Sequence, residues 1–498
     1  MLLWLAGHNS PTYDEPLHFA AGTKGFFEGD TSVDSLHPPT LRVLGVALSA
    51  LFGFDPPINL PGAKNGDHVL LGSALFQAPS QINLLIPRAT IAALVAFTMW
   101  VLFRNLKDLF GAKAALLTLV LWVTCPTLLA HAHLFTTDAV PAGLVVLAFV
   151  FHLRAVRDRS SPIAAWLTLG FAIAGKATLL PFAAIMFVLT LRPRMRSGSL
   201  LPQAVAVTGP LVALAVLWAP YVVLNMEVPF GPPQTPAPTR LSELLTTLPL
   251  LPADLSTGLV GRISLNQPTS FLLGETYVGG RWYYFPVALL IKSQVSTLIA
   301  IGVAATLTLR KKAPGVTSHL AFPGICYLIV LAAGDFNIGV RHALVVMLFA
   351  LTAIGAASAS ASRRVRTVFV ALALLGAAET TMQFPNTISF SNIVAGGYPR
   401  THEYLSDSNV DWGQDAERAV RLARAEAAGE PAFAYFGTAP PANAEIVSLD
   451  RALNLVESEE RAVLISYSRL SRATAEPARP PDLAIGGSVA LWLPPHDR

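Results

Sequence analysis

The sequence predicts a polytopic α-helical membrane protein of about 10 to 11 spans that carries a small α/β domain at its C-terminal end. Three observations predict this. The 498 residues are 53% hydrophobic and 13% charged, whereas a soluble chain carries about 25% charged residues; the mean hydropathy is +0.52. Apolar runs long enough to cross a bilayer recur from about residue 82 to 381. Beyond residue 383 the pattern changes to short alternating strands and an amphipathic, charge-laced helix.

The spans read from the sequence lie near 82–103, 114–131, 137–155, 162–175, 177–191, 200–224, 284–309, 318–334, 338–357 and 366–381. The run "LRVLGVALSALFGF" (41–54) is too short to span and reads as an interfacial or re-entrant helix. Lysine and arginine gather in "RNLKDLFGAK", "RAVRDRSS", "RPRMRS", "RKK" and "RRVR", all on one side of the predicted bilayer. By the positive-inside rule that side is cytoplasmic. Residues 1–80, the loop 225–283 within the membrane core 81–382, and the tail 383–498 are then extracytoplasmic. The opening "MLLWLAGHNS" is too short to cross a bilayer or to serve as a signal peptide. A further helix is expected upstream, with "LLWLAG" as its outer end. In the tail, 415–430 reads as a helix, and 431–437, 461–468 and 488–494 read as strands.

The composition also excludes some classes. The net charge of +4 is small, and its basic residues sit between apolar segments, which argues for membrane orientation and against nucleic acid as a partner. The two cysteines, Cys125 and Cys326, lie in apolar runs without zinc-finger spacing.

The chemistry concentrates in "YDEPLHFAAGTKGFFEGDTSVDSLHPP" (13–39). Asp14 and His18 are spaced i, i+4 and share a helical face. Acids on an outer membrane face suit a general base or a cation ligand. Glu28, Asp30 and Asp34 read as a solvated loop. Asp138 in "HLFTTDAVP" opens a membrane helix, where a carboxylate is also favoured by the helix dipole. Lys176, Arg281, Lys292 and Arg341 fall at or inside spans, where cations are costly and mark polar cavities or snorkel to the interface. Carboxylates and membrane-level cations on one side predict a base beside a phosphate site. "DSNVDWGQD" (407–415) reads as an Asx-type turn capping the helix that follows, or as a contact to sugar or acceptor.

These segments occur in a telling order: "YDEPLHFAAG" with "HPP", then "HLFTTDAVP", "GKATLLPF", "GETYVGGRWYYFPVALLIKS", "FNIGVRHAL", "SNIVAGG" and "DSNVDWGQD". The chain resembles the bacterial glycosyltransferases of the C superfamily (GT-C fold), related to the family 39 dolichyl-phosphate-mannose-protein mannosyltransferases. The resemblance implies a sugar donor on a polyprenyl phosphate, an inverting single displacement onto a hydroxyl, and no nucleotide cofactor. It implies that Asp14 is the base, with Glu15 beside it. Lys176, Arg341, Arg281 and Lys292 are then expected at the donor phosphate, and His18, His37, Glu275 and Asn337 at the substrate. Some relatives use a divalent cation (Mg or Mn), for which Asp14 and Asp138 are the candidate ligands. The tail does not resemble the carbohydrate-binding β-trefoil of eukaryotic relatives, so a protein, a lipid or a glycan is open as acceptor. A transporter or flippase of lipid-linked intermediates is the rival class. It accounts for the spans and membrane cations, but less well for the outer α/β domain.

Overall fold

The computed structural model describes residues 1–56, 68–77, 84–191, 201–225, 250–264, 267–310, 312, 315–427, 429–473 and 475–495. The basic stretch 192–197 and residues 226–249 of the loop expected at 225–283 lie outside the described residues.

Among the described residues, four helices are long and apolar enough to cross a membrane: Leu85–Phe110, Ala139–Asp158, Val340–Ala359 (with a leading 3₁₀ turn) and Arg363–Met382. Shorter apolar helices fill the other predicted spans, among them Ala112–Val123, Ile163–Gly175, Ala177–Leu191 and Thr317–Ala332. The expected short helix at 41–54 forms as Thr40–Leu51.

Two predicted spans are broken instead of continuous. The run 114–131 stops at Val123 and restarts as Pro126–His131. Cys125, which precedes the proline, is held at ψ 115, because proline's ring excludes the α region for the residue before it. The run 284–309 bends by 115° between Tyr284–Lys292 and Val295–Leu309. Side chains bond to backbone groups at and around the break, as a membrane interior requires. The Val295 N–H donates to Glu379 Oε2 at 3.1 Å, and the Gln294 amide donates to the Thr124 and Gly376 carbonyls at 2.8 and 2.9 Å.

The membrane core is packed by aromatic side chains. Phe149, Phe182 and Phe349 meet at centroid distances of 5.4 to 5.9 Å, within the range favoured for such pairs.

The tail is the α/β unit that the sequence predicts. Its strands are β3 (Ala432–Ala434), β4 (Glu445–Ile446), β5 (Val463–Ser466), β6 (Leu483–Ile485) and β7 (Val489–Trp492), β1 and β2 being a hairpin of the preceding loop (Thr269–Leu272 and Glu275–Val278). The sheet order is β4-β3-β5-β7-β6. Pairing is parallel at β4-β3-β5 and antiparallel from β5 through β7 to β6. Strand periodicity divides the side chains between two cores. Phe433, Leu464 and Leu491 pack on the helix Ala416–Glu426. Ala434, Val463, Ile465, Ala490 and Trp492 pack in a cluster shared with Tyr284, Phe285 and Val340 of the membrane domain. The tail is thus bonded by its core to one end of the helical bundle.

Candidate active site

At that tail-bearing end, four residues far apart in sequence meet. Arg341 Nη1 donates to Asp14 Oδ2 at 2.6 Å and lies 3.6 Å from Asp138 Oδ2. Lys176 Nζ donates to Asp138 Oδ1. Carboxylate and cation therefore alternate: Asp14, Arg341, Asp138, Lys176. Asp14 is the most open member, at 25% side-chain exposure, while the others are buried. Three polar atoms in and around the chain, Arg341 Nε, Asp138 Oδ2 and His342 Nε2, are buried without a hydrogen-bond partner. Buried polar atoms are nearly always satisfied, so this concentration is unfilled hydrogen-bonding capacity gathered at one place.

Local structure explains how each side chain arrives. Asp138 stands at the N-terminal end of the helix Ala139–Asp158, whose dipole favours the anion. Lys176 ends the helix Ile163–Gly175. The two ends touch because Gly175 lies against Pro141: a Cβ at Gly175 would sit 2.7 Å from Pro141 Cγ. Arg341 sits in the 3₁₀ turn Val340–Ala343.

Asp14 and Arg341 are both held by the segment 407–415. Tyr13 N–H donates to the Trp412 carbonyl at 2.8 Å, and Ser10 N–H to the Gln414 carbonyl at 2.9 Å. Val340 N–H donates to Asn409 Oδ1 at 2.8 Å. The Arg341 guanidinium lies 4.2 Å from the centroid of the Trp412 ring, a cation–π contact. The Asx turn expected here is present, with Gly413 N–H on Asp411 Oδ1 at 3.0 Å. Capping of the next helix by a side chain is not: the Asp415 carboxylate accepts from Ser488 Oγ at 2.8 Å instead.

Asp411 is fully buried in this segment, and burial pushes its carboxyl up to about 7 despite the Gly413 N–H that favours the anion. A folded-state value above the unfolded one means that Asp411 favours folding below about pH 4, and that this advantage is lost as pH rises through about 7. Asp411→Asn is expected to remove that decline. Melting curves of parent and variant between about pH 5 and pH 8 test this, and parallel curves reject it.

The remaining predicted residues lie elsewhere. Glu15, expected beside Asp14 as a second catalytic acid, points into the fold at 0% exposure. Its carboxylate accepts from Arg88 Nε at 2.8 Å and Nη2 at 2.6 Å, from Thr12 N–H at 2.8 Å and from Phe135 N–H at 2.8 Å. Burial raises its pKa, but Arg88 and these N–H groups outweigh it, and the net direction is down. Glu15 is a buried tie that positions its neighbour. Lys292, expected at the phosphate, donates to the Ile388 and Asn409 carbonyls at 2.6 and 2.7 Å and fastens the tail. Arg281 pairs with exposed Glu275 at 2.8 Å and lies over Tyr277. Asn337 Oδ1 accepts from Arg281 N–H at 2.6 Å. None of these is bonded to the Asp14 chain.

Asp34 corrects the reading of a solvated loop: its side chain is 7% exposed. Arg42 Nη1 donates to it at 2.8 Å, and His37 and His18 face it at 3.0 and 3.6 Å. The spacing His37–Arg42 after "HPP" carries some of this information, but Arg42 and Arg88 are both functional neighbours that sequence reasoning missed. Asp14 and Asp138, the expected metal ligands, are paired here with Arg341 and Lys176. Among the described residues, the donor set with metal-ligand geometry is His18, Asp34 and His37.

Comparison with known proteins fits this architecture. Residues 70–221 match the family model described as dolichyl-phosphate-mannose-protein mannosyltransferase. The fold is similar to that of ArnT from Cupriavidus metallidurans in the apo state, with a TM-score of 0.51 at 14% identity, over 98% of this chain and 95% of that one. The same protein bound to undecaprenyl phosphate matches with a TM-score of 0.50 at 13% identity, over the same shares. No curated protein sequence matches the chain significantly. The chain shares its fold with ArnT from Cupriavidus metallidurans, and its similarity to the dolichyl-phosphate-mannose-protein mannosyltransferases is carried by the segment 70–221.

Proposed function

We propose that this protein is an inverting glycosyltransferase that moves a sugar from a polyprenyl-phosphate donor to a hydroxyl acceptor at the outer face of the cytoplasmic membrane. The observation that carries the reading is Arg341, clasped between Asp14 and Asp138 with its Nε unpartnered and Lys176 one carboxylate away. Two cations at a membrane surface suit a lipid phosphate, and a guanidinium can grip two of its oxygens. In the resting site Arg341 holds the Asp14 carboxylate. A donor phosphate competes for that guanidinium and frees Asp14 to accept a proton. The acceptor oxygen attacks the anomeric carbon, its proton passes to Asp14, and the bond from that carbon to the phosphate oxygen breaks. Polyprenyl phosphate leaves with its new negative charge beside Arg341 and Lys176. The undecaprenyl phosphate named for the structurally similar ArnT supports this class of donor.

Purified protein with radiolabelled polyprenyl-phosphate sugar tests the reading. Sugar lost from the lipid to a hydroxyl acceptor supports a transferase, and movement between leaflets without cleavage overturns it in favour of a transporter. Arg341→Ala is expected to weaken donor binding more than acceptor binding, and Arg341→Lys to restore it only in part. Unchanged donor affinity in Arg341→Ala removes the phosphate role. The orientation has its own test. A cysteine at Gly429, a left-handed position in the tail with open space around it, is expected to react with an impermeant thiol reagent on cells whose outer permeability barrier, if present, has been opened. Protection there, with labelling at Ser160, reverses the topology.

A further inference from the structure

We propose that His18, Asp34 and His37 form a site for one zinc ion, which fastens the first loop of the chain to the helix that begins at Glu15. The site stands independently of the transferase reading.

The three residues come from two elements. His18 lies on the helix Glu15–Glu28, and Asp34 and His37 lie in the turn before the helix Thr40–Leu51. One donor atom from each lies within 4.8 Å of the other two. His37 Nδ1 is 3.0 Å from Asp34 Oδ2, and His18 Nδ1 is 3.6 Å from the same oxygen. The second distance is too long for a hydrogen bond. His18 Nδ1 consequently has no hydrogen-bond partner, on a side chain only 2% exposed. A buried nitrogen left so is destabilising, and a hydrogen-bonded triad centred on Asp34 leaves that cost standing. A metal ion removes it. Tetrahedral zinc, about 2.0–2.2 Å from nitrogen and oxygen ligands, places those ligands roughly 3.3–3.5 Å from one another. The two spacings to Asp34, 3.0 and 3.6 Å, bracket this value. The imidazole rings stand at 86° to each other with centroids 5.2 Å apart, so they do not stack and two separate coordination positions are open to them.

The surroundings support a ligand set. Arg42 Nη1 donates to Asp34 Oδ2 at 2.8 Å, and its Nη2 donates to the Asp34 carbonyl at 3.1 Å and to the His37 carbonyl. Such outer bonds orient a metal-binding carboxylate. Asp34 Oδ1 is left facing His37 Nδ1, at 3.1 Å. Two imidazoles and one carboxylate suit zinc; one carboxylate oxygen is too few for magnesium or calcium. The three ligands leave a fourth position, and partly exposed His37, at 27%, is on the side from which water reaches it.

The test uses the full chain in detergent, expressed with added zinc and dialysed without chelator. Elemental analysis by plasma mass spectrometry is expected to find about one zinc per chain. His37→Ala, at the partly exposed ligand, is expected to keep the protein monodisperse and to lower zinc affinity at least a hundredfold against a competing chelator. Cobalt substituted for zinc is expected to give the intense visible bands of a tetrahedral ion, lost in the same variant. Asp34→Asn is expected to lose zinc as well. If it fails to fold, the His37 variant decides alone. Substoichiometric zinc in the parent, or undiminished zinc affinity in His37→Ala, overturns the site.

Discussion

Asp14→Asn is expected to cut turnover by a hundredfold or more, the usual contribution of a positioned proton acceptor, while leaving folding and donor binding close to the parent. The substitution preserves shape. It keeps an oxygen that can accept from Arg341 Nη1, now 2.6 Å from Asp14 Oδ2, and removes only the ability to take a proton. Asp14 is the partly exposed member of its cluster, so the amide is tolerated. Initial rates with saturating donor, beside melting temperature, separate the two effects. A variant that turns over at the parent rate removes Asp14 as the base. The buried carboxylates offer no replacement, since Glu15 is sealed against Arg88 and Asp138 against Lys176.

Arg88→Ala is expected to have the largest effect on stability, about 3–5 kcal/mol, the cost of leaving one half of a buried ion pair uncompensated. The loss compounds, because Arg88 also donates to the carbonyls of Ala6, Asn9 and Ser10 at 2.7 to 2.9 Å. Domains are stable by only about 5–15 kcal/mol, so the variant is expected to yield little monodisperse protein. Replacing both partners by apolar residues, as in Glu15→Leu with Arg88→Met, is expected to be milder than Arg88→Ala alone, since no charge then remains buried. Thermal unfolding in detergent measures both. Parent-like melting of Arg88→Ala refutes the role of Glu15 as a buried tie.

That contrast shows where sequence reasoning reaches its limit. The membrane helices were legible because a bilayer imposes a length and an apolar composition on every span. Their interruptions were less so: Pro126 signals its break locally, whereas the bend after Lys292 depends on Glu379, Thr124 and Gly376 from elsewhere in the chain. Asp14, Asp138, Lys176 and Arg341 stood out because charge is rare in such a chain, and the fold brings them together. The adjacent acids Asp14 and Glu15 look equivalent in sequence. A helix turns successive side chains by about 100°, and this sends one to Arg341 and the other to Arg88. Which cation waits on each side is settled by contacts 327 and 73 residues away, and no local pattern encodes them. The tail's strands β3, β5 and β7 were visible as apolar runs, while the two-residue β4 and the largely exposed β6 carry no such run.

The clasp of residues 407–415 on Tyr13 and Val340 has a consequence for biogenesis. The chain is synthesised from its N-terminus, so Asp14 leaves the ribosome nearly four hundred residues before Trp412 and Asn409. Until those arrive, neither the irregular segment leading into Asp14 nor the turn bearing Arg341 has its anchoring bonds. Helices inserted earlier in translation then form a bundle in which the Asp14–Arg341 pairing still lacks these anchors. A chain ended after Met382 is expected to insert and yet to lack transferase activity, and co-expressing residues 383–498 as a separate polypeptide tests whether the two pieces complement. Activity in the shortened chain alone contradicts this order of assembly.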